Sequence, residues 1–89
     1  MAGITVKALD ANTFEVTVVA GSTTTHVVSV SADYAAGLSG GNASREELVR
    51  RSFEFLLERE PNTSILRRFD LPVIARYFRE YERVIKTMR

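Results

Sequence analysis

ITVKALDANTFEVTVVAGSTTTHVVSVS, residues 4–31, is the stretch whose reading decides the fold. ITVKAL and TFEVTVVA are rich in β-branched residues and flank the short turn-forming cluster DAN, so residues 4–9 and 13–20 read as a hairpin. In its second strand Phe14, Val16, Val18 and Ala20 share one face while Glu15, Thr17 and Val19 share the other, because successive side chains in a strand point to opposite sides. After Gly21 and Ser22, TTTHVVSVS supplies a third strand with His26, Val28 and Val30 on one face and Thr25, Val27 and Ser29 on the other. Loops this short cannot carry a parallel crossover, so residues 1–31 form a three-stranded antiparallel meander.

Downstream the periodicity changes. ADYAAGLSGGN, within residues 32–43, predicts a short helical turn around Tyr34 to Leu38 and then a hinge at Gly40 and Gly41. Ser44 and Glu47 stand three apart before an apolar-periodic run, the signature of a capping box, so a helix over residues 44–60 begins its first turn at Arg45. Leu48, Val49, Ser52, Phe53, Phe55, Leu56 and Leu57 sweep about half of its circumference, an arc wide enough to need two neighbours. Pro61 ends it, since the residue before a proline is pushed out of the helical region. Residues 62–69 read as a short helical turn with Ile65, Leu66 and Phe69 on its apolar side. Asp70 reads as the N-cap of a final helix over residues 70–88, with Pro72 tolerated in the first turn. Val73, Ile74, Tyr77, Phe78, Tyr81, Val84, Ile85 and Met88 recur there at three- and four-residue steps. The expected fold is α+β in a single domain of residues 1–89: a three-stranded meander, two main helices and a short helical turn, in the order βββα-α.

Residues 44–82, SREELVRRSFEFLLEREPNTSILRRFDLPVIARYFREYE, resemble a small bacterial family, a domain of unknown function with a strand-rich N-terminal part. SFEFLLEREP, SIL, FDL, YF and EYE carry the resemblance, which spans about half of the chain. It implies no activity, cofactor or catalytic residue. Where that family often has proline after YF, this chain has Arg79, which implies a final helix that runs on without a kink.

Composition narrows the chemistry. A chain of 89 residues buries a modest fraction of its surface, which keeps self-association open. With no cysteine there is no disulfide, thiolate ligand or thiol nucleophile. MAGITVKALD lacks the basic start, apolar stretch and cleavage site of a secretory signal, so a cytoplasmic location without membrane contact is expected. His26 is the only histidine, and no ligand-spacing motif surrounds it; it reads as a strand residue packed beside Val28 or at the sheet edge. Thr23, Thr24 and Thr25 lack a nucleophile elbow or flanking base, and GLSGGN lacks the lysine of a phosphate loop. The helical carboxylates pair at i, i+4, as in Glu47 with Arg51. A non-enzymatic protein without cofactor or metal is expected.

Two surfaces remain as candidates. Residues 1–40 hold Lys7 against Asp10, Glu15 and Asp33, whereas residues 61–89 hold six arginines and Lys86 against Asp70, Glu80 and Glu82. Arg67, Arg68, Arg76, Arg79 and Arg83 form one candidate, a basic face for phosphates, although the polar positions lack the Asn, Gln, Ser or Thr that read base edges. The other is the aromatic stripe, which either completes the core or forms an interface. In the second case Phe55, Arg76, Tyr77 and Tyr81 are the expected contacts with a partner protein or a second copy, these being residue types that dominate binding energy. The leading expectation is a small cytoplasmic interaction or regulatory module, and the alternative is a nucleic-acid-associated protein.

Overall fold

The computed structural model describes residues 3–39 and 44–87. Three strands, β1 (Gly3–Ala8), β2 (Thr13–Val19) and β3 (Thr23–Ser29), pair antiparallel in sequence order. Their inner face is built in rows across the strands: Val6 opposite Val16 opposite His26, and Phe14 opposite Val28. Val6, Val16, Val18, Val28 and His26 are buried, while Thr5, Thr23 and Thr25 on the outer face are exposed. The first hairpin closes where Asp10 accepts the Asn12 amide at 2.8 Å, which holds the Asp10 carboxyl below the usual range.

The helices lie against the inner face. α1 (Ala32–Ser39) is a helix of eight residues where only a short turn was expected. The proposed hinge at Gly40 and Gly41 lies outside the described residues. α2 (Arg45–Leu57) opens on Ser44, whose hydroxyl accepts the Glu47 amide at 3.1 Å. Its wide apolar arc meets β1 and β2 on one side and α1 and the last helix on the other. Phe53 and Phe55 are both fully buried at its centre.

Beyond Pro61 the chain departs from the expected pattern. Only Asn62–Ser64 make a turn of 3-10 helix, and Ile65 is extended at φ −76° and ψ 137°. The residues expected to complete a helical turn instead supply β4 (Arg68–Asp70), a fourth strand parallel to β3. The free edge of β3 explains the change, since its unpaired backbone groups need partners. The Val27 amide donates to the Arg67 carbonyl at 2.7 Å, and the Leu71 amide donates to the Ser29 carbonyl at 2.8 Å. The parallel crossover is possible because α1 and α2 lie between β3 and β4 in the chain. Asp70 is therefore a strand residue rather than an N-cap, and its carboxylate accepts the Ser29 hydroxyl.

The single final helix expected over residues 70–88 is two helices, α3 (Val73–Tyr77) and α4 (Tyr81–Thr87). The break falls at Phe78, which is extended at φ −130° and ψ 101° although arginine, not proline, follows it. Packing on Phe55 accounts for it. The rings of Phe78 and Tyr81 both meet Phe55 edge-on, with centroids 5.8 and 5.3 Å away. The arrangement is α+β, with a four-stranded sheet and four helices among the described residues.

Candidate interaction groove

The chain change after Pro61 leaves a concavity. Residues from the end of α2, from positions 64–69 and from α3 enclose an open groove of about 350 Å³. Ile65, Phe69, Ile74 and Phe78 give it an apolar floor, while Leu66 and Tyr77 stand out of it, 48% and 70% exposed. Elsewhere the large exposed apolar side chains among the described residues, Leu9 and Val19, stand apart from the groove.

One wall is fixed by polar groups. His26, fully buried on β3, reaches the Leu66 carbonyl with Nδ1 at 2.8 Å and the Thr24 hydroxyl with Nε2 at 2.8 Å. A carbonyl only accepts, so Nδ1 carries the proton and Nε2 accepts from Thr24 in the neutral ring. Thr24 in turn accepts the Asn62 side-chain amide at 3.0 Å, and that amide also donates to the Ser22 carbonyl at 2.9 Å. All donors in the chain Asn62, Thr24, His26, Leu66 run in one direction, and every buried polar side-chain atom among the described residues has a partner. The sole histidine thus ties the groove wall to the sheet, with its ring against Phe53 at 5.3 Å. It is neither at the edge of the sheet nor open to a ligand. No group of three or more His, Cys, Asp or Glu among the described residues can hold a metal ion.

The four expected partner contacts separate. Tyr77 and Arg76 are exposed beside the groove. Phe55 and Tyr81 are fully buried, so they belong to the core and not to a surface of this fold. Tyr81 is held twice over: its ring lies on Phe55, and its hydroxyl is 2.6 Å from the Ser52 oxygen. Because Ser52 donates its only hydroxyl proton to the Leu48 carbonyl at 2.8 Å, Tyr81 is the donor to Ser52. Burial pushes the Tyr81 phenol well above its ordinary value.

Leu66, on the apolar side of the helical turn that its sequence pattern suggests, is the residue that the groove adds to Tyr77. Its signal in the sequence was its place after Ile65: two adjacent large apolar side chains in an extended segment cannot both face inward.

Arg67, Arg68, Arg76, Arg79 and Arg83 are all exposed. The ion pairs among the described residues involve Arg51 with Glu47, and Arg59 with Glu58 and Glu80, and none of those five arginines takes part. Arg59 also covers the Phe55 ring, its guanidinium carbon 3.7 Å from the centroid. No helix among the described residues is long and apolar enough to cross a membrane. No protein-family model, curated protein or solved structure matches the chain.

Proposed function

We propose that the protein is a non-catalytic interaction module of the bacterial cytoplasm, a member of the domain family that residues 44–82 resemble, which binds a partner polypeptide through the groove. The observation that carries this is the exposure of Tyr77 and Leu66 at the lip of a concavity with an apolar floor. Apolar side chains clustered this way at a surface mark an interface more often than scattered ones do. His26, the only histidine, has both ring nitrogens engaged inside the fold, which supports a structural rather than an acid–base role for it.

Native mass spectrometry and sedimentation velocity of wild type, Tyr77→Ala and Leu66→Ser test the reading. A complex that both substitutions dissolve is the expected result, with a homodimer as one form it can take. A monomer without adduct, or a complex indifferent to both changes, defeats it.

The second reading is contact with nucleic-acid phosphates through Arg67, Arg68, Arg76, Arg79 and Arg83. What favours it is their exposure without ion pairs among the described residues. Binding of a labelled oligonucleotide would then weaken steeply with added salt as counterions are released. Flat salt dependence, or no binding at low salt, removes this reading.

A further inference from the structure

We infer that the groove takes an acidic linear segment of a different protein, one that inserts an aromatic or aliphatic anchor between Asp or Glu residues. The inference rests on the groove being a docking site and adds the chemistry of its occupant.

Size comes first. About 350 Å³ lies at the small end of the range for binding cavities, enough for one or two large side chains rather than the face of a domain. An extended or helical segment with one anchor fits that volume.

Charge selects among such segments. Three lining residues, Leu66, Tyr77 and Phe78, each have an exposed arginine beside them in the chain, Arg67, Arg76 and Arg79, whereas Arg68 shares the outer face of the sheet with Val27, Ser29 and Asp70. Of the acids nearest to these arginines in the chain, Glu80 is paired with Arg59 at 3.6 Å, and Asp70 lies on the outer face of the sheet against the Ser29 hydroxyl. Glu60 is the one carboxylate in the lining. A ligand with acidic flanks would meet planar guanidinium groups suited to bidentate carboxylate binding.

The same charges argue against a second copy of the chain. A twofold interface is self-complementary in position, so it would set this arginine-rich patch against itself. Nucleic acid would satisfy the arginines and stack a base on the exposed Tyr77, so an oligonucleotide stands in the test as the competing ligand.

Selection from a displayed library of random short peptides tests the inference, using wild type, Tyr77→Ala and the charge-swapped double variant Arg67→Glu/Arg76→Glu as baits. All three substitutions fall on exposed side chains, so folding is expected to survive. Wild type should enrich peptides in which Asp or Glu flanks Phe, Leu, Ile or Trp, with affinity about thirtyfold weaker for Tyr77→Ala, the loss of a hot-spot aromatic. The charge-swapped protein should enrich Lys and Arg flanks instead. Neutral or basic peptides that still depend on Tyr77 would overturn the acidic inference and leave the groove standing. No enrichment, or a pool indifferent to Tyr77→Ala, would overturn both. Tighter binding of a labelled oligo-dT than of the best peptide would assign the arginines to phosphates and overturn the inference.

Discussion

In the meander, Phe14, Val16 and Val18 of β2 turn inward, and the residues between them turn outward. Each strand there finds its partner across a short turn. The segment from Asn62 to Phe78 lies against the same β3 but is held differently, by the His26 and Asn62 side chains, by two backbone bonds flanking the three-residue β4, and by the Ser29 to Asp70 contact. The first region is specified by its own pattern and turns one apolar face into the core, with Leu9 and Val19 exposed singly at its ends. The second is specified by distant partners and leaves Leu66 and Tyr77 outside. The contrast teaches that an open apolar groove can coexist with a closed core when polar bonds to the sheet add to the burial of Ile65, Leu71 and Ile74 in holding its wall.

The largest expected effect comes from the residue that both regions share. Phe53 is fully buried between the ring of His26 and that of Phe69, whose centroid lies 6.1 Å away. Phe53→Ala should destabilise the fold by ~3–5 kcal/mol, through lost transfer energy and the cavity left behind. In a domain this small such a loss takes a large share of the total stability. Urea denaturation measures it, and a loss below ~1 kcal/mol would mean that the two regions do not share one core.

His26→Leu separates the regions. Removing the ring leaves the Leu66 carbonyl and the Thr24 hydroxyl without their partner, at a cost of ~1–3 kcal/mol. The damage should be local. Amide exchange should quicken at Val27 and Leu71, which bond across to the β4 segment, and stay slow where β1 pairs with β2. Uniform quickening would erase the distinction between a self-specified and a tethered region.

The same distinction sets what was legible beforehand. The strands of the meander and the cap at Ser44 are local patterns, and residues a few positions apart decide them. β4 is not local: RFD is too short to alternate, and LRRF fits a helical turn equally well until the free edge of β3 is known. Asp70 before Pro72 has the form of an N-cap, and only Ser29 reveals its other use. The break at Phe78 carries no glycine or proline; it follows from two rings sharing Phe55. Of the candidate site, Arg76 and Tyr77 are exposed, but periodicity cannot tell an aromatic that faces a neighbour from one that faces solvent, so Phe55 and Tyr81 were grouped with them.

Tyr81 offers a smaller and more specific test. Tyr81→Phe keeps the ring on Phe55 and removes the donor to Ser52, at a cost of ~1 kcal/mol. Its pH dependence has a fixed sign. Burial raises the phenol above its ordinary value of 10.0, so above that pH the unfolded chain loses a proton that the folded chain keeps. Stability from this group is intact below pH 10 and falls as pH rises beyond it, by ~1.4 kcal/mol per unit. The alkaline limb of a urea-stability profile should be shallower in Tyr81→Phe. It should not vanish, because Tyr34 is raised as well, by burial and by its bond to Glu82 at 2.8 Å. Identical limbs in variant and wild type would place the Tyr81 hydroxyl in contact with water.

Tyr77→Ala should change stability least and binding most. At 70% exposure the ring contributes little to the core, so its removal should shift the urea midpoint by the equivalent of no more than ~0.5 kcal/mol. The two tyrosines of YFREY thus diverge: Tyr81 four residues on is fully buried, and the extended Phe78 is what turns the chain between them. If Tyr77→Ala instead costs ~2 kcal/mol or more, as truncation of a buried side chain does, the ring closes the groove from above in solution and the groove is core rather than a docking site. A near-neutral midpoint combined with lost partner binding would fix the opposite assignment, since a residue that the fold does not need and the complex does is what an interface requires.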